Sequence, residues 1–134
     1  MVVLGSVFRG DRLAFVAQRW TDADVVVLLS EPHSCPAYII QRKSHAQVSC
    51  FVSTPETTRG EAHFVVDFAR SHGIHQITVV TTADQLTRAR WRFKRCWPGP
   101  LAVVAAPDPQ LDVLLHVPYQ VLASAKALLL ERDC

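Results

Sequence analysis

The sequence predicts an α/β domain, a Rossmann-like three-layer sandwich on a mostly parallel sheet of about five strands. Three observations predict it. Short apolar runs rich in Val and Ile, such as Val25–Ser30 and Ile77–Thr81, show no polar alternation, as expected of strands buried on both faces. Between them lie stretches with apolar residues at helical spacing. The chain has 134 residues, 49% of them hydrophobic, which suits one domain, residues 1–134, with its own core.

Each element follows from local pattern. Val2–Gly5 is a short apolar strand ending in a Gly/Ser turn. Leu13, Val16, Ala17 and Trp20 then mark one helix face, with Asp11 near its start, where a carboxylate favours the positive end of the dipole. Val25–Ser30 is the second strand. Pro32 and Pro36 interrupt residues 31–47, which read as a short irregular crossover. Val48–Val52 is the third strand. Ala62, Val65, Val66 and Ala69 form the next helical stripe, closed by Gly73. Ile77–Thr81 is the fourth strand, and Leu86, Ala89 and Phe93 mark the helix after it. Leu101–Ala106 is the fifth strand. Pro118 opens a last helix reaching about Glu131, because proline suits a first helical turn.

Bulk properties exclude several classes. The formal net charge of +2 is too small to demand a polyanion. The apolar runs fall far short of the roughly 20 residues that cross a bilayer. Met1 leads straight into Val2-Val3-Leu4, with no basic segment or cleavage site, and this predicts a cytoplasmic protein. The cysteines Cys35, Cys50, Cys96 and Cys134 show no C-x-x-C spacing, so free thiols are expected and a zinc site is not. Cys50 and Cys96 read as small buried hydrophobes. Cys134 is a candidate for intermolecular oxidation. The histidines His33, His45, His63, His72, His75 and His116 show no metal-ligand spacing, and no metal is predicted.

Ligands of open parallel sheets bind beyond the carboxyl ends of the strands. Those ends here are Gly5-Ser6, Ser30-Glu31, Ser53-Thr54 and Thr81-Thr82, all suited to hydrogen bonding with phosphate, carboxylate or ribose. Thr58-Arg59-Gly60-Glu61 and Thr82-Ala83-Asp84-Gln85 each fit a capping box, which explains them without a ligand. The same helix starts could instead hold an anion on exposed N–H groups. Arg88, one turn into its helix, suits an anion held there, or a salt bridge to Glu61 or Asp84. Arg88, Arg92 and Arg95 share a face that reads as solvated, and nucleic acid is not the expected partner because no binding motif accompanies it. There is no P-loop, no G-x-S-x-G elbow and no complete G-x-G-x-x-G.

Taken in order, these residues resemble the YdcF-like family, the group of the SanA and ElyC envelope proteins. Leu4-Gly5-Ser6 with Arg12-Leu13 match its opening strand and helix. Ser30 matches its second strand end. Thr57, Thr58 and Glu61 match its Asn-Thr-x-x-Asn/Glu pattern. Val80, Thr81, Thr82, Gln85, Arg88 and Ala89 match its Val-Thr-Ser loop and the His and Arg-Ala that follow. The likeness is strongest over residues 56–95. Gln85 stands in place of the family's histidine, Ser6 in place of the second glycine, and Glu31-Pro32 in place of a Gly-Gly. The helix usually inserted after the second strand is reduced, and the membrane anchor of SanA and ElyC is absent.

The resemblance implies a Rossmann-like fold of unassigned chemistry, with S-adenosylmethionine or another nucleotide as the cofactor to consider. Gly5, Ser6, Arg12, Ser30, Thr58, Glu61, Thr81, Thr82, Gln85 and Arg88 are the candidate ligand-binding residues. Glu61 is the one acid/base candidate. The first functional expectation is a small anionic or nucleotide-like ligand at the carboxyl edge, with no membrane partner. The second is a non-catalytic regulatory or interaction protein, as a homodimer, that lost the family's active-site residues.

Overall fold

A computed structural model describes residues 2–3, 11–19, 26–30, 35, 37, 41, 45–107, 118, 121, 122 and 125. Five strands stand in the order β3–β2–β1–β4–β5, every neighbouring pair parallel. They are β1 (Val2–Val3), β2 (Val26–Ser30), β3 (Gln47–Phe51), β4 (Ile77–Thr81) and β5 (Leu101–Ala105). The helices are α1 (Asp11–Arg19), α2 (Thr58–Ser71) and α3 (Leu86–Cys96), the last preceded by a 3-10 turn at Ala83–Gln85.

The expected Rossmann-like three-layer sandwich is corrected by this arrangement. The described residues make two separate parallel ladders, β2 with β3 and β4 with β5, each of five residue pairs. Only β1 lies between them, and it contributes Val2 and Val3 alone on each side. The cause is local: two valines supply the β propensity, and a Gly/Ser segment soon follows. The edge strand β5 is only half-buried along its length, not the fully covered strand its apolar run predicts.

Two cores flank these ladders. On one side, Leu28, Ile77 and Val79 meet Ala62, Val65, Val66 and Ala69 of α2 and Ala89, Phe93 and Cys96 of α3. On the other, Val27, Leu29 and Val80 meet Leu13 and Val16 of α1. Alternation along each strand separates the two sets. Leu13, Val16 and Ala17 of the expected first stripe are buried, and Trp20 lies outside the described residues. Ala62, Val65, Val66 and Ala69 are all buried as their spacing predicts.

Gly73 takes φ 63°, a left-handed conformation that favours glycine. The N–H groups of Ile74 and Gly73 donate to the carbonyls of Ala69 and Arg70, which closes α2 as a Schellman motif. Pro118, Val121, Leu122 and Ala125 are helical, and the rest of the expected last helix is outside the described residues. The expected crossover at 31–47 is also mostly outside them, although Ala37 and Gln41 are helical.

The expectation of free thiols is overturned. Cys35 and Cys50 form a disulfide, their Cα atoms 5.7 Å apart across 15 residues of chain. Cys96 is disulfide-bonded as well. Sequence spacing does not show that a residue of the edge strand β3 meets the segment after β2; only the parallel pairing brings them together. Cys134 is outside the described residues. Among the described residues, no helix is long and apolar enough to cross a membrane.

Candidate functional site

The carboxyl ends of β2 and β4 and the starts of α2 and α3 lie at one edge of the ladders. Leu28 faces the α2/α3 core and Leu29 the α1 core, so Ser30 faces α2 again. Its hydroxyl donates to Glu61 Oε1 at 2.6 Å, and both residues are buried. The same alternation turns Thr81 toward α2 and α3, because Val79 faces that side and Val80 the other.

Thr81 is fully buried, and its Oγ1 has no hydrogen-bond partner among the described residues. The half-buried Arg88 has a buried Nε in the same condition. Thr82 is buried beside Thr81, and Gln85 is half-buried just before α3. Thr58, the first residue of α2, is half-buried. Arg12 lies in the first turn of α1, and its side chain is not among the described ones. Gly5 and Ser6 lie outside the described residues. Of the ten candidates, direct bonding therefore joins Ser30 to Glu61, while Thr81, Thr82, Gln85 and Arg88 share the strand-to-helix turn after β4.

Neither capping box forms as the sequence suggests. Thr57, not Thr58, caps α2: its side chain accepts from the Gly60 N–H at 3.2 Å. The Glu61 carboxylate accepts from Ser30 across the fold. A Cβ at Gly60 would collide with the Pro55 carbonyl, so the loop before α2 rests directly on its first turn. Thr82 makes no side-chain cap, and neither does Gln85. The Gln85 N–H donates to Thr82 O at 3.1 Å and the Leu86 N–H to Ala83 O, so these amides are occupied by the turn. Of the N–H groups expected to be free over Thr81–Gln85, that of Gln85 is therefore taken by the turn.

The arginines of α3 also differ from expectation. Arg92 is only 5% exposed, so the Arg88–Arg95 face is not simply solvated. Burial lowers the pKa of its guanidinium, and the nearby charges of Arg95, Arg59 and Arg88 push it the same way. Trp97, just past α3, is buried in the core and donates from Nε1 to Pro100 O at 3.1 Å. Sequence reasoning did not single out Arg59, and it expected Arg92 to be solvated. Helical spacing placed Arg92 beside Arg88, but spacing along one helix does not show burial. Among the described residues, no three of His, Cys, Asp and Glu come together as metal ligands.

No family model, curated protein or solved structure matches this chain.

Proposed function

We propose that the carboxyl edge around Thr81 and Arg88 binds a small anionic or nucleotide-like ligand. The observation that carries this reading is the pair of buried atoms, Thr81 Oγ1 and Arg88 Nε, with no partner among the described residues. Buried polar atoms almost always have a partner, so two near one strand-to-helix turn support a bound group there. The YdcF-like resemblance of the same segment supports the assignment. A phosphorylated nucleotide suits the surrounding arginines better than S-adenosylmethionine, whose sulfonium cation they repel. Glu61 is bonded to Ser30, which suits a positioning role more than proton transfer.

A thermal-shift screen of phosphorylated metabolites, followed by calorimetry, tests the reading. A charge-assisted bond is worth roughly 1.5–3 kcal/mol, so Arg88→Ala should weaken binding about tenfold or more. Arg90→Ala, at an exposed position of the same helix, should leave it unchanged. Equal losses in the two variants would replace a defined site with a diffuse basic surface.

A second reading is a non-catalytic regulatory or interaction protein, acting as a homodimer. It draws on Val52 and Phe64, which are 50% and 38% exposed near the edge strand β3. The Cys35–Cys50 disulfide favours an oxidising compartment over the cytoplasmic setting expected from the sequence, because cytoplasmic thiols are kept reduced.

A further inference from the structure

The disulfide-bonded cysteines differ in how far solvent reaches them. Cys96 is 5% exposed and belongs to the core between α2 and α3. Cys35 is exposed, and its partner Cys50 is half-buried on the edge strand β3. Exchange requires a thiolate to reach one of the two sulfurs, so access decides which bond a reductant opens. The strand held by the exposed bond is thinly covered. In the sheet it pairs with β2 alone. Gln47 and Ser49 are exposed, Val48 and Cys50 are half-buried, and of the five residues only Phe51 is buried. Cys50 lies opposite Leu29, and Phe51 opposite Ser30, whose hydroxyl donates to Glu61. The bond thus holds the end of β3 next to that contact.

We propose that Cys35–Cys50 is a redox-operated clasp: a dithiol reductant opens it in the folded protein and loosens β3, while the bond at Cys96 stays closed. Exposed disulfides are the labile ones, and a buried sulfur is shielded from attack. One thiolate of the dithiol attacks the sulfur of Cys35, the exposed side of the bond. The S–S bond breaks, and Cys50 leaves as a thiolate that takes a proton from water. The second thiol of the reductant, once deprotonated, attacks the mixed disulfide and releases Cys35, which is protonated in turn. Two electrons pass to the two cysteines, and the dithiol ends as its own disulfide. Opening removes a closure of 15 residues from the chain. The ladder to β2 and the Phe51–Phe64 stack then hold the strand. The element that responds to redox poise is therefore the sheet edge beside Ser30 and Glu61.

The test treats the full oxidised chain with dithiothreitol in native buffer, quenches with iodoacetamide at intervals and reads each cysteine peptide by mass spectrometry. Cys35 and Cys50 should be alkylated together and at least about tenfold faster than Cys96, whose labelling should need urea. Hydrogen exchange of the reduced protein should speed up about a hundredfold in β3, the factor expected for a loop of this length, and stay the same in β4 and α3. The Cys35→Ser/Cys50→Ser variant should show that same pattern without reductant, which separates the clasp from any effect of dithiothreitol elsewhere. Labelling of Cys96 as fast as Cys35 would overturn the proposal, because opening would then follow unfolding of the whole chain. Protection of Cys35 and Cys50 until urea is added would overturn it too, as would unchanged exchange in β3 after reduction.

Discussion

The two flanks of α2 meet their neighbours in different ways. The flank toward β3 carries Glu61, Phe64, Phe68 and His72. Glu61 holds Ser30, and the Phe64 ring stacks on Phe51 at 4.2 Å. The Phe68 ring stacks on His72 at 3.9 Å, and His72 Nδ1 lies 2.9 Å from the Phe68 carbonyl. The flank toward α3 carries Arg59 and Arg70 and faces a helix with arginines of its own. Its far end is tied down by the Arg70 bond to Cys96. One flank is closed by neutral stacking and a hydroxyl–carboxylate bond. The other carries arginines toward a helix that has arginines of its own. Ring stacking and basic side chains are thus separated across a single helix, on opposite sides of its core stripe.

The strongest test of that division removes the ring that anchors the cohesive flank. Phe51 is 6% exposed and belongs to the α2/α3 core, while Phe64, its stacking partner, is largely on the outside. Phe51→Ala should cost about 3–5 kcal/mol, the usual range for emptying a buried phenyl site. Phe64→Ala should cost less, about 0.5–1.5 kcal/mol for the aromatic pair and a further part for the apolar area the ring covers. Urea melts give both values. A similar cost for the two would mean that the Phe64–Phe68–His72 row is itself a core and not a cover.

A somewhat smaller effect is expected from the staple beside the same flank. The Cys35–Cys50 bond closes a loop of 15 residues onto β3. Chain entropy alone assigns such a loop about 3 kcal/mol. The Cys35→Ala/Cys50→Ala double variant should lose about that much stability. Its loss should also be local. Hydrogen exchange should speed up in β3 before β4 and β5, because the two ladders share only the short β1. Uniform acceleration in both ladders would show that β1 couples them more tightly than two residue pairs suggest.

Sequence periodicity located the core stripes well and the partners distant in sequence poorly. Ile77–Thr81 coincides with its apolar run, and the stripe through Val65 and Val66 is buried, because both patterns depend only on neighbours along the chain. Gly73 ends α2 for the same reason. Continuity of the sheet was not legible: nothing in Val2-Val3 announces so short a link between two ladders. Glu61 could satisfy a local capping box on paper, yet its partner is Ser30, 31 residues away. Arg92 shows the same limit. Its position on the helix is periodic, but its burial and the nearby charge of Arg59 are not readable from spacing along one helix. Cysteine spacing likewise carried no trace of the Cys35–Cys50 bond, which follows from the pairing of β2 with β3.

The smallest predicted effect lies where the two flanks of α2 begin. Thr57 has extended backbone angles, φ −141° and ψ 159°, and its hydroxyl accepts from the Gly60 N–H. Its carbonyl also accepts from the Glu61 N–H at 2.9 Å, which starts the helix. Thr58 is already inside the helix and caps nothing. Thr57→Ala should therefore cost about 1 kcal/mol, the usual worth of a threonine cap. Thr58→Ala should stay within about 0.5 kcal/mol, as surface substitutions away from special features do. Urea midpoints at equal slope separate the two. The reverse order would move the helix start by one residue. The buried stripe through Ala62, Val65, Val66 and Ala69 would keep the rest of α2 in place, and only its first residue would be lost from the helix. The contrast between two neighbouring threonines thus checks where α2 begins.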